Sequence, residues 1–226
     1  MNQGILYGVG VGPGDPELLT MKAVRILREA DVIAAPDTGG EKTALGICKE
    51  YIEGKPMLLC DMPMLRDKAL LARKYDSAAD EICSILDSGR NVAFITLGDP
   101  TVYSTYLYVH QRVRARGYTA ELVPGVPSFC AAAARLGESL CEAAEPLTII
   151  PASNREIDTF LDLPGTKVLM KTGRAMAQVK RTLSERRVSV QSVENCGLVG
   201  ERVFRSLDEI DTEAGYFSIV VVKEKV

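Results

Sequence analysis

Residues Gly8–Thr20 read GVGVGPGDPELLT: four glycines, two prolines and two acids set between a short apolar run and a helical pattern. A glycine loop that closes a strand either cradles a pyrophosphate or receives some other ligand, and the choice separates a nicotinamide oxidoreductase from other chemistry. The dinucleotide fingerprint G-x-G-x-x-G needs its last glycine for tight packing of the following helix. Counted from Gly8 that position is Pro13, and counted from Gly10 it is Asp15. Proline donates no amide hydrogen, and a carboxylate at a helix entrance repels a diphosphate. Asp15 reads instead as an N-cap with Pro16 at the first helical position. The loop suits a ligand that is not a phosphate, or is only a tight strand-to-helix turn.

A second stretch, NVAFITLGDPTVYST (Asn91–Thr105), repeats the arrangement: an apolar run, Gly98-Asp99-Pro100, then a helical pattern. Two such turns at strand ends fall where open α/β sheets place ligands. Asp99 either caps a helix or offers its carboxylate to a cation, an amine or a hydroxyl.

Around these turns the first half alternates short apolar runs with helical spacing. GILYGVGV, DVIAAP, PMLLCDMP and NVAFIT read as strands, and Leu19, Ala23, Ile26 and Ala30 mark a helix face. A longer helix is expected between Asp67 and Gly89, and another over TYLYVHQRVRARG. This order implies an α/β domain with a mainly parallel sheet. From AELVPGVPSFCAAAARLG onward the texture changes. PLTIIPA, TKVLMK, VSVQSVENC, ERVFRS and YFSIVVVKEKV crowd strands together with few crossover helices, so the second half is expected to carry a mixed sheet. Two α/β domains, 1–121 and 122–226, describe the chain best.

Composition excludes several functions. The 27 basic and 30 acidic residues are interspersed, with no basic block to track nucleic acid. No run approaches the roughly 18 apolar residues of a membrane span, and no secretory leader is visible, so a cytoplasmic location is the default expectation. The cysteines Cys48, Cys60, Cys83, Cys130, Cys141 and Cys196 are irregularly spaced and read as free, mostly buried thiols. With one histidine, His110, and no C-x-x-C, neither a metal site held by the protein alone nor a Ser-His-Asp hydrolase is supported. His110 is expected to be structural or exposed. GGEKTA (Gly39–Ala44) and Lys171-Thr172-Gly173 match pieces of phosphate-loop and penicillin-binding motifs without the residues that complete them.

Taken in order, Gly10–Asp15, Gly98–Tyr103, VPGVPS (Val123–Ser128) and VENCG (Val193–Gly197) give the chain a resemblance to the tetrapyrrole methylase family, the S-adenosylmethionine-dependent enzymes of siroheme and cobalamin synthesis. Within it, DVIAAP, LGDPTVYSTY, LVPGVPSFCAAAARLG and CGLVGERV are most similar to enzymes that methylate carbon 20 of precorrin-2 or cobalt-factor II. The resemblance implies two α/β domains with the cofactor in the cleft between them, a homodimer, and a tetrapyrrole as substrate. Carried over by position, it implies that S-adenosylmethionine meets Pro13 in the first loop, Leu97, Gly98, Asp99 and Val102 in the second, and Pro127 and Ser128. From the second domain it adds Met170 and Lys171 at one strand end and Cys196, Gly197 and Leu198 at another. Many relatives carry Tyr-Met-Gly where this chain has Met170-Lys171-Thr172, which leaves the register there open by one residue.

Methyl transfer needs no enzyme nucleophile, but the attacked carbon must afterwards lose its hydrogen. Asp99 is the candidate catalytic base, with solvent or the substrate's own nitrogens as rivals. Arg66, Lys68, Arg73 and Lys74 are available for the substrate's carboxylates. The alternatives are a family member with another acceptor, such as a different corrin carbon, uroporphyrinogen III or the diphthamide precursor on a protein. Outside methylation stand an oxidoreductase with a degenerate fingerprint and a non-catalytic tetrapyrrole carrier.

Overall fold

The computed structural model describes residues 3–38, 43–63, 67–154, 156–213 and 215–224. The chain divides into two compact units, Met1–Pro127 and Ser128–Val226.

The first unit runs β1 (Leu6–Gly10), α1 (Met21–Glu29), β2 (Val32–Asp37), α2 (Thr43–Ile47), α3 (Lys49–Ile52), β3 (Met57–Asp61), α4 (Lys68–Asp87), β4 (Val92–Thr96), α5 (Tyr106–Ala115) and β5 (Ala120–Val123). The strands form one parallel sheet in the order β3-β2-β4-β1-β5, as their near-continuous apolar runs require of strands covered on both faces. One face packs Leu6, Ala34 and Phe94 against Tyr75, Ile82, Leu86, Tyr106 and Val109 of α4 and α5. The other packs Val9, Ile33 and Ile95 against Ile26 and Leu27 of α1 and Ile47 and Ile52 of the short helices. The sequence reading drew the division after Glu121. That position lies inside β5, whose pairing with β1 carries the first unit on to Pro127.

The second unit runs α6 (Ser128–Leu136), β6 (Leu147–Pro151), α7 (Ile157–Leu161), β7 (Thr166–Met170), α8 (Met176–Ser184), β8 (Val188–Glu194), β9 (Arg202–Phe204) and β10 (Ser218–Glu224). Its sheet has the order β6-β7-β10-β8-β9. Only β6 and β7 pair in parallel, and β10 is antiparallel to both β7 and β8, which makes the sheet mixed as expected. Leu169, Val220 and Val190 pack on Met176, Val179 and Leu183 of α8.

Three smaller expectations meet the structure as follows. Asp15 does cap, with Oδ1 accepting from the Glu17 amide at 2.9 Å, but it caps a single 3-10 turn at Pro16–Leu18; α1 starts later, at Met21 with Thr20 as its N-cap. His110 is buried, and its Nδ1 lies 3.0 Å from the Tyr106 hydroxyl. Burial and nearby Arg114 lower its pKa, so it is a neutral core histidine. Of the cysteines, Cys48, Cys60, Cys83 and Cys196 are buried and Cys130 and Cys141 exposed. Burial pushes the Cys48 and Cys60 thiols up to about 12, which makes both inert.

Candidate functional site

The two Gly-Asp-Pro turns meet because β1 and β4 are neighbours in register, with Gly10 opposite Thr96. Beyond the strands the chains stay together: the Val11 amide donates to the Thr96 carbonyl at 3.0 Å. Gly12 and Gly98 then form an antiparallel bridge, Gly98 N to Gly12 O at 2.7 Å and Gly12 N to Gly98 O at 3.3 Å. On the other side of β1, β5 ends at Val123 and delivers the Pro124–Pro127 segment beside them. Thr20 reaches the Pro124 carbonyl at 3.4 Å from the N-terminus of α1.

The glycines are there for close approach between backbones. A Cβ on Gly10 would lie 2.6 Å from both the Gly125 amide and the Gly98 carbonyl oxygen. A Cβ on Gly125 would be driven into that same Gly98 oxygen and sit 2.8 Å from the Gly10 carbonyl carbon. Neither glycine has a positive φ, so close approach alone excludes other residues there.

Asp99 locks this knot. It is 9% exposed; Oδ2 accepts from the Gly125 amide at 3.0 Å, and Oδ1 accepts from the Thr101 amide at 2.8 Å and from the Thr101 hydroxyl. Both oxygens are therefore engaged by intramolecular donors, the arrangement of a brace holding the Gly98 and Gly125 turns together. Leu97 packs partly buried on the α1 side of the sheet. The Val102 amide returns to the Asp99 carbonyl at 3.2 Å, while Pro13 and Gly98 are buried and Pro127 is half-buried. The first-unit members of the expected set thus share one edge of one sheet. Ser128 opens α6 in the second unit.

The second unit gathers the remaining expected residues on the two sides of one strand. β7 ends at Met170, and Lys171 follows in the left-handed region at φ 57. β8 ends at Glu194, and Asn195 follows at φ 52, then Cys196, Gly197 and Leu198. Between them the chain enters β10. The Thr172 hydroxyl donates to the Ser218 carbonyl at 3.3 Å, and the Asn195 amide donates to the Phe217 carbonyl at 3.0 Å. Glu201 accepts from the Gly197 amide at 2.8 Å. That bond, then the Arg135 guanidinium, holds the Glu201 carboxyl below the usual carboxylate range despite partial burial.

Residue reading missed two parts of this arrangement. Glu194 is 4% exposed and accepts from the Gly215 amide and from Arg202, fixing the entry to β10; its carboxylate beside a glycine bend gives no local signal. Tyr216 lies beside Gly173, where an added Cβ would come within 3.3 Å of the Tyr216 Cα. Of the basic residues offered for substrate carboxylates, Lys74 is paired with Asp61 and Lys68 and Arg73 are exposed on α4, while Arg66 lies outside the described residues. Among the described residues no group of His, Cys, Asp and Glu could hold a metal, and no helix is long and apolar enough to cross a membrane.

The geometry also tests what ligand the first-unit edge fits. No α-helix starts at the glycine loop to present a dipole. The residues of the knot carry a buried carboxylate and no basic side chain. A buried carboxylate with no basic side chain beside it disfavours a diphosphate.

The sequence profile of the Tetrapyrrole (Corrin/Porphyrin) Methylases matches residues 5–211. The chain belongs to this family. It is 34% identical, over 96% of its length and 95% of the relative's, to the probable cobalt-precorrin-2 C(20)-methyltransferase of Methanocaldococcus jannaschii. It is 33% identical, over 98% and 97%, to the cobalt-precorrin-2 C(20)-methyltransferase of Salmonella typhimurium. In fold it resembles the uroporphyrin-III C-methyl transferase of Thermus thermophilus solved with S-adenosylhomocysteine, with TM-score 0.70 and 22% identity over 98% of both chains. In this tetrapyrrole methylase the glycine loops form a backbone knot, which gives the close-packed glycines a packing cause.

Proposed function

We propose that this chain transfers a methyl group from S-adenosylmethionine to carbon 20 of precorrin-2 or cobalt-factor II in corrin biosynthesis. Identity of about a third along almost the whole length to enzymes named for that reaction carries the reading. The anion-disfavouring knot at the carboxyl edge of the first sheet supports it chemically.

The residues proposed to hold the cofactor are Pro13, Leu97, Gly98, Asp99, Val102, Pro127 and Ser128, with Met170, Lys171, Cys196, Gly197 and Leu198 from the second unit. When bound, S-adenosylmethionine supplies an electrophilic methyl on a sulfonium whose positive charge vanishes on transfer, so surroundings of low polarity favour the reaction. The task of the chain is alignment. Asp99 fixes the Gly98 and Gly125 turns in one geometry through three donors, and its carboxylate is also the proposed base for the hydrogen that leaves carbon 20. Solvent and the substrate's own nitrogens are the rival acceptors of that proton. A homodimer acting in the cytoplasm completes the proposal, and light scattering of the purified chain measures the first part.

The deciding experiment supplies precorrin-2 and cobalt-factor II in parallel and follows product mass and S-adenosylhomocysteine. One added methyl at carbon 20 on either acceptor is the expected result. Methylation of uroporphyrinogen III or of another corrin carbon would move the chain to a sister activity. Pigment binding without S-adenosylhomocysteine would make it a carrier, and heat with NADH but none with S-adenosylhomocysteine would overturn the reading altogether.

A further inference from the structure

The second turn is pinned at its start by the knot, and its far end is pinned by a buried ring. Residues 97–105 join β4 to α5, and Tyr106, the first residue of α5, is 1% exposed. Its ring enters a slot in β1 where Gly8 has no side chain: an added Cβ there would be driven into ring atoms Cε1 and Cζ and lie 2.6 Å from the hydroxyl oxygen. Gly8 has no positive φ, so this close approach alone excludes other residues from the position. Phe94 of β4, the residue opposite Gly8, flanks the slot with its ring centroid 4.9 Å from that of Tyr106. The buried phenol meets His110 Nδ1 at 3.0 Å, one turn along α5. At the backbone, the Tyr106 amide donates to Ser104 Oγ at 3.3 Å, and the Ser104 and Thr96 hydroxyls lie 2.8 Å apart, which closes the loop at its base.

A glycine in the middle of a strand weakens it, and marks a place where another part of the chain approaches closely. Filling the core needs no such arrangement, since on the same face β1 carries Leu6 and α5 carries Val109 and Val113, aliphatic residues packed in the ordinary way. What the slot adds is position. A ring seated between Gly8 and Phe94 fixes the first turn of α5 along β1, because a close-packed interior leaves it no second place. β1 is also the strand that runs on into the first glycine turn, ending at Gly10. Tyr106 therefore ties the downstream end of the second turn to the strand that carries the first. We propose that Tyr106 is a positioning residue for S-adenosylmethionine, its ring in the Gly8 slot holding the 97–105 loop where Gly98 and Val102 meet the cofactor. The proposal rests on the reading of the chain as an S-adenosylmethionine-dependent methyltransferase and adds a buried residue that sets the geometry of that site.

The test compares wild type with Gly8→Ala, Tyr106→Phe, Tyr106→Leu and the double variant Gly8→Ala/Tyr106→Leu, in which volume taken from the helix is returned to the strand. The thermal midpoint, calorimetric affinity for S-adenosylhomocysteine, and KM for S-adenosylmethionine and for cobalt-factor II are measured for each. Gly8→Ala should lower the midpoint, and the double variant should recover most of that loss, as volume-conserving replacements do. Its affinity for S-adenosylhomocysteine should nevertheless stay about tenfold below wild type, with KM for S-adenosylmethionine raised to match and KM for cobalt-factor II within about twofold. Tyr106→Phe keeps the ring, so cofactor affinity should hold within about twofold although the midpoint falls with the lost His110 contact. Wild-type affinity in the double variant would reduce the ring to packing and overturn the proposal. So would a tenfold loss in Tyr106→Phe, which would place the effect in the hydroxyl. Where the double variant fails to recover its midpoint, Tyr106→Leu held well below its own midpoint decides by the same affinity criterion. Failure of the underlying reading looks different: wild type itself would then give no heat with S-adenosylhomocysteine.

Discussion

The two units build the turns at their sheet edges by opposite means. In the first, backbones of Gly10, Gly98 and Gly125 approach so closely that no Cβ fits at Gly10 or Gly125, and Asp99 ties the turns with backbone hydrogen bonds. In the second, the turns after β7 and β8 are made by Lys171 and Asn195, residues with full side chains held at positive φ, and a buried carboxylate, Glu194, is paired with Arg202. The first edge relies on atoms that are absent. The second relies on conformations that its residues tolerate poorly. Glycine is forced where space is lacking, but a left-handed turn can be occupied by other residues at a cost of about 1 kcal/mol each.

The largest effect should come from putting a methyl group into the first edge. Gly125→Ala drives a Cβ into the Gly98 carbonyl and should cost about 3 kcal/mol in urea unfolding, with S-adenosylhomocysteine binding lost. Gly200→Ala in the second unit meets nothing nearer than the Asn195 Nδ2 at 3.9 Å, an ordinary contact, and should cost only about 1 kcal/mol, from its left-handed φ. Equal costs at the two positions would erase the contrast between the units.

Asp99→Asn comes next. An amide cannot accept from three donors as a carboxylate does, so stability should fall by about 2 kcal/mol and calorimetric affinity for S-adenosylhomocysteine should weaken with it. A variant that keeps stability and affinity yet loses turnover would assign this carboxylate to proton removal alone.

Lys171→Gly sharpens the comparison from the other side. Releasing a left-handed lysine should raise stability by about 1 kcal/mol, whereas the reverse replacement is untenable at Gly125.

The smallest effect is a pH dependence confined to the second unit. The Glu201 carboxyl is depressed chiefly by the Gly197 amide, so the stabilisation it gives is complete above the ordinary carboxylate value and fades as pH falls through the depressed one. Below about pH 4 the thermal midpoint of wild type should drop more steeply than that of Glu201→Gln, which has already lost the charged form. Parallel curves would remove the carboxylate from the account.

The same contrast explains which features local sequence carries. The parallel sheet followed from apolar runs alternating with helical spacing, and the first edge from glycines and an acid that no phosphate site would use. The turns after Met170 and Glu194 carried no such mark, because lysine and asparagine at positive φ look like ordinary strand-end residues. They were located only through resemblance to a family. The short helices α2, α3 and α7, of five, four and five residues, escaped notice because one turn is too brief for periodicity.

By itself, then, the sequence determined the order of strands and helices, the change from a parallel to a mixed sheet, and the rejection of a dinucleotide loop, since all three depend on local periodicity and on which residues lack a Cβ or an amide hydrogen. Only the tertiary structure decided that Asp99 braces two turns and that Glu194 fixes the entry to β10. Those depend on groups far apart in the chain meeting at hydrogen-bond distance, as Asp99 does with Gly125 at 3.0 Å, and no local pattern encodes such a meeting.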